Sequence, residues 1–167
     1  MSDPASWDNY GQSVAIHGLY SVIGVWSDSV TTNSGSAIVY KLAGSSWIEQ
    51  KKLLASDGAQ NDYFGYSSDI SADGTIIAVG IRQAGEKNGY LKVFKLEASS
   101  WTQMGDDLIE NGTYNNSSTG GIVFGSSISL SSDGTVLAVG AENYFSDINS
   151  APGLVKIYKW SGSSWVQ

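Results

Sequence analysis

Phe124-Gly125-Ser126-Ser127-Ile128-Ser129-Leu130-Ser131-Ser132-Asp133-Gly134-Thr135-Val136-Leu137-Ala138-Val139-Gly140 reads as a β-hairpin. A strand of small and aliphatic residues runs into a tight Ser-Asp-Gly turn that supplies the positive-φ residue, and a valine-bearing strand leads out and closes on glycine. The same text stands earlier as Phe64-Gly65-Tyr66-Ser67-Ser68-Asp69-Ile70-Ser71-Ala72-Asp73-Gly74-Thr75-Ile76-Ile77-Ala78-Val79-Gly80. A looser copy runs from Tyr10-Gly11-Gln12-Ser13-Val14-Ala15-Ile16 through Val22-Ile23-Gly24, with a hairpin two residues shorter and without the Ser-x-Asp-Gly turn. The chain therefore carries an internal repeat.

Other landmarks recur around each hairpin. Downstream lies a strand opened by glycine: Gly35-Ser36-Ala37-Ile38-Val39-Tyr40, Gly89-Tyr90-Leu91-Lys92-Val93-Phe94 and Gly153-Leu154-Val155-Lys156-Ile157-Tyr158. A short turn then leads into a strand headed by Ser-Ser-Trp, at Trp47, Trp101 and Trp165. Gly11 and Gly65 are 54 residues apart and Gly65 and Gly125 are 60 apart, so one unit holds four strands. That period, with four strands per unit, marks the blades of a β-propeller rather than a helical solenoid.

The bulk composition agrees. With 41% hydrophobic and 15% charged residues, 167 residues suffice for a sizeable core. No segment is apolar for long enough to span a membrane as a helix, and Met1-Ser2-Asp3-Pro4-Ala5 lacks the basic and apolar regions of a signal peptide. Without cysteine, neither disulfides nor thiolate metal sites hold the fold. A net charge of -7 argues against nucleic acid as a partner.

The expected fold class is all-β, a single propeller module with blade 1 at about 10–54, blade 2 at about 63–109 and blade 3 at about 123–167. Third strands such as Ala37-Ile38-Val39-Tyr40 are apolar on both sides, so both faces must be covered, as when blades stack radially. Phe-Gly and Val-Gly glycines then mark points where a neighbouring sheet comes too close for a Cβ. Three blades fall short of the four to eight of a closed ring. A blade face of four strands covers roughly 320 Å² in projection, and two such faces left open exceed the apolar patch of an ordinary soluble monomer. The expectation is that the chain pairs with itself, three plus three in a six-bladed ring, or belongs to a larger propeller.

Phe-Gly-x-Ser, the Ala-Val-Gly ending, the glycine-led third strand and the Ser-Ser-Trp fourth strand together resemble FG-GAP repeats, the blades of the integrin α-subunit propeller and of many secreted proteins. The Ser-x-Asp-Gly turn is also similar to WD40 blades, although the Trp-Asp signature is absent. The FG-GAP resemblance implies a non-enzymatic binding or structural module and an extracellular or secreted location. Integrin-type repeats often carry a calcium loop, Asp-x-Asp-x-Asp-Gly-x-x-Asp, in the first hairpin turn. The aligned residues here are Asp69 to Ile77 and Ser129 to Leu137, which keep two and one of those aspartates. Calcium takes six to eight oxygens from several carboxylates, so Asp73 and Asp133 are read as turn residues, and no metal or other cofactor is expected.

In a propeller, the loops between second and third strands and the connectors between blades share one rim, where recognition is concentrated. Here those segments hold Asp28, Asp57, Asp62, Glu86, Asp106, Asp107, Glu110, Glu142 and Asp147 against Arg82 and Lys87, near -7 in all. Trp26, Tyr114, Tyr144 and Phe145 sit among the acids. The expected binding rim is therefore Trp26, Asp28, Asp57, Asp62, Asp106, Asp107, Tyr114, Glu142, Tyr144, Phe145 and Asp147. Exposed aromatics beside carboxylates suit a protein partner, with a sugar ring as the alternative.

Catalysis finds little support. His17, the single histidine, falls in a hairpin turn with no carboxylate at a recognisable spacing. No Gly-x-Ser-x-Gly elbow occurs, and the glycine-rich stretches lack the lysine of a phosphate loop. Asp106 and Asp107, adjacent in a loop, point apart and do not form the facing pair of a glycosidase. The expected function is recognition of a protein partner, or incorporation in a larger assembly, through the acidic, aromatic-bearing rim. A lectin-like, glycan-binding propeller is the alternative.

Overall fold

A computed structural model describes residues 8–27, 33–82, 88–110, 123–142 and 153–167. Blade 1 consists of β1 (Tyr10–His17), β2 (Tyr20–Val25), β3 (Ser36–Ala43) and β4 (Ser46–Leu53). Blade 2 follows with β5 (Phe64–Ile70), β6 (Ile76–Ile81), β7 (Tyr90–Glu97), β8 (Ser100–Gln103) and β9 (Leu108–Ile109). Blade 3 holds β10 (Phe124–Leu130), β11 (Val136–Ala141), β12 (Leu154–Trp160) and β13 (Trp165–Val166). Each blade is an antiparallel meander with its strands in sequence order, so the three sheets are propeller blades in an all-β fold. The outer strand of blade 2 is interrupted: β8 and β9 both pair with β7, and Met104 to Asp107 leave the sheet between them.

Every first strand begins with the same irregularity. Between Phe64 and Ser67, and again between Phe124 and Ser127 and between Tyr10 and Val14, the register with the second strand shifts. The bulge is possible because its second residue is glycine, at φ 90°, 95° and 90° for Gly11, Gly65 and Gly125, a region that costs a side chain dearly. It turns the aromatic into the blade and aims the glycine carbonyl at the preceding blade.

Each sheet thus has a leading face, toward the blade before it, and a trailing face, toward the blade after it. Val22, Ala37 and Val39 on the trailing face of blade 1 pack with Ile70, Ile77, Val79, Ile81 and Phe94 on the leading face of blade 2. Ile76, Ala78, Leu91 and Val93 on its trailing face pack with Leu137, Val139, Ala141 and Tyr158 of blade 3. Phe64 and Phe124 are fully buried at the two joints, each edge-on to an aromatic ring of its own third strand, Phe94 at 6.0 Å and Tyr158 at 6.4 Å. Burying one such ring is worth about 2–3 kcal/mol.

What sets the spacing of the blades is a groove with no side chains in it. Ser13 Oγ donates to the Gly65 carbonyl at 3.0 Å, and Ser67 Oγ donates to the Gly125 carbonyl at 2.5 Å. A Cβ at Gly24 would lie 2.0 Å from the Gly65 oxygen, and one at Gly80 would lie 2.4 Å from the Gly125 oxygen. The Phe64 N–H donates to the Ser34 carbonyl at 2.8 Å beside Gly35, where a parallel bridge joins the two blades. Farther along, Asp69 Oδ2 accepts from the Leu130 N–H at 2.7 Å and the Ser132 carbonyl from the Ala72 N–H at 2.8 Å.

The hairpin turns of blades 2 and 3 are closed by their aspartates. Asp73 Oδ1 accepts from Ser71 Oγ and the Thr75 N–H, and its Oδ2 from Thr75 Oγ1. Asp133 repeats the arrangement with Ser131 and Thr135. Both oxygens of each carboxylate are engaged within the turn, which is the role the sequence assigns them. At Asp73 burial opposes ionisation, but the three donors outweigh it and hold the carboxyl below its ordinary value. At Asp133 the Ser131 hydroxyl, followed by the Thr135 N–H and hydroxyl, brings the carboxyl down to about 2.

Two expectations follow from these contacts. Gly80→Ala has no left-handed backbone to blame, and its Cβ would press on both Ser67 Oγ and the Gly125 carbonyl that Ser67 holds across the joint: a loss of about 1–3 kcal/mol in chemical denaturation, the usual cost of overpacking. Because the folded Asp133 is the stronger acid, its contribution to stability is complete above the ordinary carboxyl range near pH 4 and disappears as pH falls through about 2. Carboxyl NMR should show Asp133 titrating at that lower pH, and Ser131→Ala should bring it back toward the ordinary range.

Candidate binding rim

In an antiparallel meander, alternate connections fall at opposite ends of the sheet. The β1–β2, β3–β4, β5–β6 and β7–β8 turns lie at one end, and the β2–β3 and β6–β7 loops and blade connectors lie at the other. Trp26, Asp57, Asp62 and Glu142 belong to the loop-bearing end, whereas Asp106 and Asp107, expected on the rim, sit in the break of blade 2's outer strand between β8 and β9 because that strand leaves the sheet before it reaches the connector. Asp28, Tyr114, Tyr144, Phe145 and Asp147 lie outside the described residues. His17 closes β1 at the opposite, hairpin end and is exposed.

The six described residues divide by role. Asp62 is buried: its Oδ2 accepts from the Ala59 N–H at 2.6 Å and closes the connector turn, so it offers no surface to a partner. Asp107 folds inward where the outer strand of blade 2 is interrupted, and holds Lys92 of β7 with both oxygens at 2.7 and 2.9 Å. Asp57, from the connector between blades 1 and 2, reaches the same ammonium at 3.0 Å. The Lys92 side chain is 4% exposed, against 23% for Asp107 and 54% for Asp57. Burial disfavours its charge, yet the hydrogen bonds from Lys92 to Asp107 and Asp57 prevail and raise its pKa. Burial, then the charges of Asp57, Asp62 and Asp107, push the Tyr90 hydroxyl up, so the phenol beside Lys92 stays neutral.

Blade 3 repeats the device, because Lys156 in β12 pairs with Glu110 of the preceding connector. Two strand lysines thus deliver positive charge to the loop-bearing end. The rim is less acidic than a count of its loop residues indicates. Asp106 and Glu142 are exposed acids, and Asp57 is exposed beside its pair with Lys92.

The aromatic part of the rim is a cluster at the joint of blades 1 and 2. Trp26 packs on Tyr63 at 4.7 Å between centroids and on Tyr66 at 6.1 Å, while the Arg82 guanidinium lies 5.2 Å from the Tyr66 ring. Trp26 is half-buried, and its indole N–H is buried without an acceptor among the described residues. Polar contacts fix the surrounding loops: Ser27 Oγ donates to Asn33 Oδ1 at 2.8 Å, and Asn33 Nδ2 donates to Asn61 Oδ1 at 3.2 Å. Both asparagines take left-handed φ, 65° and 63°, which Asn tolerates better than most residues.

Tyr63, Tyr66, Arg82 and Lys92 are absent from the set expected from sequence. Tyr66 carried a signal, since Gln12 and Ser126 hold the equivalent place in the other blades and a lone tyrosine there breaks the repeat. Lys92 carried one as well, matched by Lys156 and opposed by Ile38. No cluster of three or more His, Cys, Asp or Glu side chains suited to a metal ion occurs among the described residues.

The FG-GAP repeat family matches residues 1–40 and 47–92, more than half of the chain. The chain belongs to the FG-GAP repeat family. The matched stretches stop at residue 92, and blade 3 continues the pattern with the Phe124-Gly125 joint and the Lys156 pair. No curated protein matches the chain. FG-GAP propellers are commonly protein-binding and generally non-enzymatic modules, and their repeats are typical of extracellular proteins. No helix among the described residues is long and apolar enough to cross a membrane.

The Lys92 clamp separates a buried acid from an exposed one. Asp107→Asn leaves a buried ammonium with one half-exposed partner and is expected to destabilise the fold by roughly 2–3 kcal/mol. Asp57→Asn removes a largely solvated pair and is expected to cost about 1 kcal/mol or less. Urea denaturation of the two variants tests the ordering.

Proposed function

We infer that this FG-GAP module is a non-enzymatic, extracellular recognition unit that binds a protein through its loop-bearing rim. The observation that carries this reading is the aromatic cluster of Trp26, Tyr63 and Tyr66 at one joint, on the same end of the blades as the exposed acid Glu142, with Asp106 exposed on the outer margin of blade 2. Aromatic rings held by their neighbours lose little freedom on binding, and they make the anchors on which protein interfaces depend. Exposed carboxylates around them favour a basic partner and speed its approach. Asp62 and Asp107 support the fold from within rather than meeting the partner, while Asp57 holds Lys92 and still shows half its side chain to solvent.

Glycan binding is the second reading, supported by the same cluster of rings, on which a sugar could stack. The two differ in what exposed charge contributes. A partner isolated by affinity capture and identified by mass spectrometry is expected to lose at least tenfold in affinity for Asp106→Lys with Glu142→Lys, and to bind normally to Glu97→Lys at the hairpin end. Tyr66→Ala should weaken it further. Binding on a glycan array that survives both charge reversals and fails with Tyr66→Ala would replace the protein reading with the glycan one.

A further inference from the structure

Toward the hairpin end of the joint between blades 1 and 2, away from the rim, the two sheets part around a cavity of about 220 Å³. The turns at this end of both blades all lie within the described residues. Strand pairing decides which side chains line it. Lys51 pairs with Val39 and Lys41 with Tyr20, so Tyr20, Lys41 and Lys51 stand on the trailing face of blade 1, outward of its buried core. Trp101 pairs with Leu96, two residues beyond Phe94, and so stands on the leading face of blade 2. Gln50, the extra residue of the β4 bulge, adds an amide, and Ser99 of the β7–β8 turn adds a hydroxyl.

This lining is cationic and brings no counter-charge. The Lys41 ammonium lies 5.1 Å from the centre of the Tyr20 ring, which is itself wedged where a Gly74 Cβ would be, 2.1 Å away. Neither Lys41 nor Lys51 pairs with a carboxylate among the described residues. The next joint shows the same place satisfied from within. Lys95 stands there for Lys41, and Glu97 holds it at 3.1 Å where blade 1 has Ala43. Buried Met104 stands for Lys51, and Trp165, the counterpart of Trp101, donates its indole N–H to the Met104 carbonyl at 2.9 Å. The Trp101 indole makes no such bond among the described residues. The β7–β8 turn beside the cavity is strained as well: Ala98 and Ser99 take left-handed φ of 44° and 72°, where the β3–β4 turn has Gly44. Strain of this kind concentrates at binding sites.

We propose that this cavity binds one anionic sugar residue, a hexuronate of an acidic polysaccharide, with its carboxylate on Lys41 and Lys51 and its ring against Trp101. The two ammoniums lack the acid that Lys95 has, and an incoming carboxylate supplies it through charge-assisted hydrogen bonds. Trp101 presents a flat apolar surface to the C–H face of a pyranose, while Gln50 and Ser99 offer partners to its hydroxyls. The volume lies below the roughly 300–1,000 Å³ of sites for drug-sized ligands, which suits a single sugar unit and not a length of peptide. The site holds or fails independently of the rim.

Titration calorimetry with trigalacturonate tests it. Lys41→Gln and Lys51→Gln are each expected to weaken binding about tenfold, the loss of one charged hydrogen bond, with an unchanged circular dichroism spectrum. Lys159→Gln, exposed at the place in blade 3 that matches Lys41, should bind as the unaltered chain does. In the indole region of the NMR spectrum, the Trp101 N–H should move on addition of trigalacturonate and the Trp165 N–H should stay. Absence of binding at millimolar trigalacturonate, equal binding of neutral maltotriose or of hexaglutamate, or a loss in Lys159→Gln as large as in Lys41→Gln overturns the proposal.

Discussion

The fold depends on the contact between a glycine carbonyl and the serine hydroxyl of the preceding blade. Ser13 reaches Gly65 and Ser67 reaches Gly125 across ground kept clear by Gly24 and Gly80. Everything larger follows from that approach. It lets Phe64 and Phe124 enter the joint fully, and it brings the apolar faces on either side into contact. The bulge that aims the carbonyl would be strained without glycine at its second position.

The rim is built on the same joints, and this explains its division of labour. A connector crosses from the outer strand of one blade to the inner strand of the next, so its carboxylates pass over the ends of the strands. Asp57 and Glu110 meet Lys92 and Lys156 there, while Asp62 closes its own turn. Of these acids, Asp62 and Glu110 are buried and offer little to a ligand, while Asp57 stays half exposed. Trp26 instead bridges two blades through Tyr63 and Tyr66, and surface recognition becomes coupled to the integrity of that joint.

How much of this was legible in the sequence depended on repetition. The aromatic-glycine segments, the Ser-x-Asp-Gly turns and the glycine-led strands were readable because a steric demand met three times leaves the same residue three times. The roles of Asp57, Asp62 and Asp107 were not, because a loop carboxylate looks the same whether it faces water or turns inward. Lys92 was hidden for the opposite reason: a lysine inside an apolar strand gives no sign of which end of the blade its ammonium reaches. Tyr66 was overlooked because the repeat directs attention to what recurs, and the aromatic cluster rests on what does not.

The outer margin of the blades has one further consequence. Strand β4 is bulged opposite Val39 and Tyr40 and carries Glu49, Lys51 and Lys52, while the margin of blade 2 is broken between β8 and β9 by the inward turn of Asp107. Neither presents the long, flat, unpaired ladder that recruits foreign strands. The outer margins of blades 1 and 2, in a chain with this much valine and isoleucine, are thereby guarded against amyloid-like stacking.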